Sequence, residues 1–166
     1  MKVLAMLVVI RGNSGSGKST IARLLQTKLG APTAVLQQDH FRRVIYHERE
    51  NESLAHKDLL EMAATYCIGR GHNVILEGIF NASRYGEMLE RVAEHVDDAR
   101  FYAFDLTFEE TALRHLSRAK ATEFSIADMQ SWYHGWQPLS FVAEQRILAD
   151  EHPDEIVERI LHGPAL

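Results

Sequence analysis

The stretch Gly12-Asn13-Ser14-Gly15-Ser16-Gly17-Lys18-Ser19 constrains this chain more than any other. Its spacing, G-x-x-x-x-G-K-[ST], puts glycine where the backbone must turn inward, so that successive N–H groups converge on an anion. Such a loop sits between a strand and a helix, whose positive end adds to the N–H field. The flanks supply both. Residues 4–10 are an unbroken apolar run, which predicts a buried strand, and residues 18–29 predict a helix that stops near Gly30. In that frame Lys18 reaches the β and γ oxygens of a nucleoside triphosphate and Ser19 offers its hydroxyl to Mg²⁺. Gly12, Asn13, Ser14, Gly15, Ser16, Gly17 and Thr20 complete the cradle. The motif alone does not separate a kinase from an ATPase or a GTPase.

The rest of the chain repeats the pattern of strand followed by helix. Strands are expected at 34–37, 74–76, 101–106 and 146–149, and helices at 54–69, 85–96, 109–118, 127–136 and 153–161. On the helix at 54–69, Leu59, Met62, Ala63, Tyr66 and Cys67 are expected to share the buried face. The alternation predicts an α/β three-layer sandwich around a five-stranded parallel sheet, with ligands at the carboxyl ends of the strands. A length of 166 residues and 46% hydrophobic content suit one domain over residues 1–166, with a short lid at about 117–126. The single cysteine, Cys67, leaves no internal disulfide and suits a reducing cytoplasm. Residues 3–10 are too short to cross a membrane, and they run into the glycine loop rather than a cleavage site.

Several residues suggest transfer of a phosphoryl group rather than hydrolysis alone. Asp39 follows the second strand in Gln38-Asp39-His40-Phe41-Arg42-Arg43, where a carboxylate could orient and deprotonate an acceptor hydroxyl. An ordinary N-cap role is compatible with that. Arg42, one turn on, could hold an anionic acceptor, with Arg43 a lesser candidate. Glu77 ends the third strand, where it could order magnesium water or bind the acceptor. Arg114 and Arg118 are four apart, so they share a helix face next to the expected lid, and arginines there could neutralise charge on the transferring group. Lys120 is a further candidate. Trp132, Tyr133 and Trp136 are read as packing residues that could also stack on a ring. The nine histidines show no metal-ligand spacing and are read as surface or packing residues.

Three stretches, residues 10–20, 38–42 and 104–133, resemble the P-loop kinases related to polynucleotide 5′-hydroxyl kinases, a circle that includes zeta toxins and chloramphenicol phosphotransferase. The resemblance implies ATP and Mg²⁺ as cofactors, Asp39 as catalytic base, Arg42 as ligand of an acceptor phosphate, and Arg114 and Arg118 as lid arginines. The neighbourhood Glu77-Gly78-Ile79-Phe80 departs from the nucleic-acid kinases, which place Asp just after the third strand, and looks more like zeta toxins and small-molecule kinases. A net charge of −5 points the same way, because binding a phosphate backbone draws on Lys and Arg.

The expected activity is therefore transfer of the γ-phosphoryl group of ATP to a hydroxyl of a small metabolite, nucleoside or antibiotic. A polynucleotide 5′-kinase, favoured by a basic groove near Arg42, Arg43 and Arg49, is the alternative. A nucleotide-binding regulatory module without an acceptor is the third reading. No Asn-Lys-x-Asp signature supports a guanine-specific GTPase.

Overall fold

The computed structural model describes residues 3–49, 54–117 and 124–165. Among these, five parallel strands form one sheet: β1 (Val3–Arg11), β2 (Thr33–Gln37), β3 (Asn73–Gly78), β4 (Val96–Phe104) and β5 (Gln145–Ile147), in the order β2-β3-β1-β4-β5. The apolar run of β1 explains its central place. Leu7, Val8, Val9 and Ile10 are all fully buried, which requires cover on both faces of the sheet. Alternate side chains feed two cores. Leu7, Val9, Val74, Leu76 and Phe101 point to one, and Val8, Ile10, Ile75, Tyr102 and Phe104 to the other.

Helices α3 (Ala55–Gly69) and α4 (Ala82–Ala93) cover the first face. Helices α1 (Lys18–Leu29) and α7 (Pro153–His162) cover the second. The short α2 (Gln38–His40) continues as a π-helical turn, Phe41–Ile45, at the end of β2. Helices α5 (Phe108–Leu116) and α6 (Ile126–Trp132) lie between β4 and β5 in the chain, and each opens on a capping box, Thr107 with Glu110 and Ser125 with Asp128. The expected three-layer sandwich with a five-stranded parallel sheet is thus the observed fold.

Three details differ from the sequence expectation. The buried line of α3 is His56, Leu60, Ala64 and Ile68, while Met62 and Tyr66 are exposed. The face is rotated because a buried histidine leads it. Second, α4 ends at Ala93 and β4 starts at Val96, five residues before the strand expected at 101. Residues 96–100 pair with the first half of β1, and their Asp97, Asp98 and Arg100 obscure that pairing in the sequence. Third, α6 ends at Trp132, because Tyr133 is extended (φ −66°, ψ 134°). β5 pairs only with Tyr102–Phe104.

Candidate active site

The glycine loop leaves the end of β1 and delivers its backbone into the first turn of α1. The Gly12 N–H donates to the Gly78 carbonyl at the end of β3 (3.3 Å), which ties the loop to the neighbouring strand. Gly15 has φ 79°, in the left-handed region, and a β-carbon there would lie 2.8 Å from the Thr111 carbonyl oxygen and 2.9 Å from Met129 Cε. Lys18 is buried, and its Nζ donates to the Asn13 carbonyl (2.9 Å), so the ammonium is folded over the loop's own concavity. The Ser16 hydroxyl is buried with no hydrogen-bond partner among the described residues. An inward-facing backbone loop, a buried ammonium and an unused hydroxyl form a donor set that fits a polyphosphate.

Ser19 sits one residue further along α1, and its hydroxyl donates to Glu77 Oε1 (2.7 Å). The same oxygen accepts from Gln37 Nε2 (2.7 Å). Strand register sets Glu77 beside Gln37, because Glu77 pairs with Ile10 on one side and with Gln37 on the other. Glu77 is 5% exposed. The structure therefore brings Glu77 to the Ser19 hydroxyl, which is expected from the sequence to face magnesium.

Asp39 lies on α2, just beyond β2, and is exposed to solvent. Its Oδ1 accepts from Arg42 Nη2 (3.0 Å), and Arg43 Nη1 is 3.5 Å from Oδ2. Arg42 Nη1 also donates to the Glu48 carbonyl (3.4 Å). Asp39 and Arg42 thus form one unit at the strand ends, next to Glu77 through the neighbouring Gln37. Arg43 and Arg49 are both exposed.

Arg114, expected as a lid arginine, lies against the glycine loop itself. Its Nη1 donates to the Ser16 carbonyl (2.5 Å) and its Nη2 to the Ala149 carbonyl (2.9 Å), with the guanidinium 6.0 Å from the Phe104 ring centre. It braces the loop against the turn after β5. Arg118, Lys120 and most of the expected lid lie outside the described residues. On the near sides of that segment, His115 stacks on Phe124 at 4.7 Å, and Phe124 meets Trp132 edge-on at 5.4 Å. Tyr133 donates to the Leu106 carbonyl (3.0 Å); burial, then the negative charges of Asp105, Glu109 and Glu110, raises its phenol above the ordinary value and keeps it a neutral donor. Trp136 lies under the Arg146 guanidinium at 4.8 Å, and Arg146 also pairs with Asp105.

Sequence reasoning passed over a second group around the loop. Arg11, the last residue of β1, is buried and uses every donor of its guanidinium. Nε and Nη2 reach the Phe80 carbonyl (3.1 and 3.0 Å), Nη1 reaches both Glu144 oxygens (2.5 and 2.7 Å), and Nη2 also reaches the Gln137 carbonyl (3.0 Å). Phe80 has φ 35°, strained for a non-glycine residue, and Arg11 grips that carbonyl. Asn13 and His134 exchange two bonds, Asn13 Nδ2 to the His134 carbonyl (2.7 Å) and His134 N–H to Asn13 Oδ1 (3.0 Å). Together these contacts fasten residues 134–144 to the start of the loop. An arginine closing an apolar strand just before the loop was the available signal.

A crevice of about 440 Å³ opens at the ends of β4 and β5, lined by Leu106, Tyr133, Leu148 and Ala149 among others. Among the described residues, no helix is long and apolar enough to cross a membrane.

Comparisons with known proteins agree with this fold. No curated protein matches the sequence. Among solved structures, APS kinase CysC of Mycobacterium tuberculosis, in complex with AMPPNP and APS, superposes with a TM-score of 0.71 at 22% identity, covering 96% of each chain. A gluconokinase from Sinorhizobium meliloti 1021 superposes with a TM-score of 0.68 at 16% identity, covering 98% of this chain and 93% of the other. A chain of the Pnkp1/Rnl/Hen1 RNA repair complex superposes with a TM-score of 0.60 at 22% identity, over 79% of this chain and 43% of that one. At these identities the likeness is one of fold, a P-loop kinase fold. The zeta toxin family model matches residues 5–120, and on that match the chain belongs to the zeta toxin family of P-loop kinase relatives.

Proposed function

We propose that the protein is a magnesium-dependent phosphotransferase that moves the γ-phosphoryl group of ATP to a hydroxyl of a small molecule. The observation that carries this reading is the row of groups along three adjacent strand ends. The loop with Lys18 follows β1, Glu77 with Ser19 on its carboxylate closes β3, and Asp39 with Arg42 follows β2. A hydrolase needs only the first two. The third supplies a carboxylate and a cation where an acceptor would enter.

In this reading the loop N–H groups and Lys18 hold the β- and γ-phosphates, and the room at the β4 and β5 ends receives the base. Mg²⁺, held through Ser19 with Glu77 ordering its water, would neutralise charge on the β and γ oxygens. Asp39 accepts the proton of the acceptor hydroxyl as that oxygen attacks phosphorus and the bond to ADP breaks. Arg42 holds the acceptor, and its contact with Asp39 keeps that carboxylate aimed. Arg114 fixes the loop backbone rather than touching the transferring group, a positioning part in place of the lid part expected from sequence. Arg118 keeps its expected part as a lid cation.

The test is release of ADP from ATP and Mg²⁺ across nucleosides, antibiotics, sugars and a 5′-hydroxyl oligonucleotide, with wild type and Asp39→Asn. One small acceptor should raise turnover, and Asp39→Asn should lower it by about 10²- to 10⁴-fold while ATP still binds. Stimulation by the oligonucleotide alone would replace the small-molecule acceptor with a polynucleotide. Turnover indifferent both to every acceptor and to Asp39→Asn would sink the reading.

A further inference from the structure

Beneath the Asp39–Arg42 unit runs a chain of hydrogen bonds, buried at its centre, among residues outside the phosphate loop. Gln37 and Gln38 are consecutive yet serve opposite sides. Gln37 reaches Glu77, whereas Gln38 is 2% exposed and its Nε2 donates to Tyr85 Oη (3.0 Å). Tyr85, on α4, is fully buried, and its oxygen lies 2.9 Å from Nε2 of His56, itself fully buried on α3. His56 Nδ1 lies 2.7 Å from Glu48 Oε2, which also accepts the His56 backbone N–H (3.4 Å). Glu48 then returns the path to the surface, because its carbonyl accepts from Arg42, which pairs with Asp39. The peptide bond from Gln38 to Asp39 closes the ring.

The directions of these bonds agree. Tyr85 Oη accepts from Gln38 Nε2, and a hydroxyl that donates to His56 Nε2 leaves the other ring nitrogen, Nδ1, to donate to the Glu48 carboxylate. Packing alone does not call for these groups. A phenylalanine would keep the edge-on contact of Tyr85 with Phe80 (5.4 Å) at a lower desolvation cost. A hydroxyl and an imidazole at such depth persist only when bonded, and once bonded they fix the elements they join in one arrangement.

We propose that Glu48, His56, Tyr85 and Gln38 form a positioning relay that sets Asp39 and Arg42 against the phosphate loop, with His56 and Tyr85 acting on phosphoryl transfer without touching either substrate. This rests on the reading of Asp39 as the base and Arg42 as the acceptor ligand.

The experiment uses the full chain, with Tyr85→Phe removing only the hydroxyl and Met88→Ala, a buried α4 change that removes no member of the hydrogen-bonded ring, as the packing control. Amide hydrogen exchange is followed at residues 39–48. Tyr85→Phe should speed it about tenfold there and leave α1 at the wild-type rate, whereas Met88→Ala should lower the melting temperature without that local signature. MgATP turnover with the acceptor that stimulates wild type, drawn from the same nucleosides, antibiotics, sugars and 5′-hydroxyl oligonucleotide, gives the second readout. Tyr85→Phe should lower kcat about tenfold with KM for MgATP held within about twofold, because a small misplacement costs rate rather than nucleotide binding. Unchanged exchange at 39–48 in Tyr85→Phe overturns the proposal, and so does a kinetic profile matching that of Met88→Ala. If wild-type turnover is indifferent to every one of these acceptors and to Asp39→Asn, the kinase reading fails, while the exchange measurement still decides whether the ring holds the segment.

Discussion

Replacing Glu144 with alanine should be among the most damaging single changes outside the glycine loop. The Glu144 side chain is 0% exposed and that of Arg11 is 5% exposed, so the pair is withdrawn from water. Glu144→Ala removes both acceptors of Arg11 Nη1, along with the acceptor of the Leu139 N–H (3.3 Å). The guanidinium keeps its bonds to the Phe80 and Gln137 carbonyls and so cannot swing out to solvent without breaking them. An uncompensated buried charge of this kind costs about 3–5 kcal/mol. For a chain of this size, where 1 kcal/mol moves the melting point by about 2–4 °C, that is a fall of about 6–20 °C. Urea unfolding, extrapolated linearly to water, gives the free energy directly. The double change Arg11→Met with Glu144→Leu removes the stranded charge, although two carbonyls lose their donor, and should recover part of the loss. A Glu144→Ala cost under about 1 kcal/mol would show the charge reaching water, and the inference of a desolvated clamp would be wrong. A double variant less stable than Glu144→Ala would be equally damaging to it.

Other outcomes follow from the same geometry. Glu77→Gln should raise the Mg²⁺ concentration needed for half-maximal turnover by about tenfold, as expected when a group that orders the metal's surroundings is neutralised; an unchanged Mg²⁺ titration would move Glu77 to the acceptor side. Gly78→Ala would set a methyl 2.6 Å from Gln38 Cβ, and should cost about 1–3 kcal/mol in urea unfolding through displacement of Gln38. The Arg91 hydrogen bond holds the Glu61 carboxyl below its ordinary value of 4.5. With the folded value depressed, that contribution is full above pH 4.5 and is lost as the pH falls through the lowered folded value. Arg91→Gln should therefore lower stability slightly near neutrality, with the gap to wild type closing in acid, as read by unfolding across a pH series.

The phosphate loop and the central strand were legible because each is written in consecutive residues. The α1 boundaries are those expected, and Glu77 and Asp39 stand at strand ends as the alternation required. What sequence hid depends on partners far along the chain. The buried face of α3 is led by His56, whose burial makes sense only with Glu48, eight residues away, and Tyr85, twenty-nine away. Reading apolar spacing alone selects Met62 and Tyr66 instead, and both are exposed. Arg114 reaches the glycine loop, but its length and angle send it to the Ser16 and Ala149 carbonyls, which no local pattern encodes. Arg11 and Glu144 are 133 residues apart, so their pairing is a product of topology.

The brevity of β5 has a consequence for how the protein behaves in a crowded solution. Because β5 pairs only with Tyr102–Phe104, the first half of β4 has no strand on its outer side among the described residues. Such a margin invites a foreign strand to dock and seed aggregation. Here Asp98 and Arg100 lock together in a two-pronged ion pair, and Arg100 also binds the Ile160 and Leu161 carbonyls at the end of α7. The charges that disguised this strand in the sequence therefore act as its guard, and the C-terminal helix is the latch that keeps the guard in place.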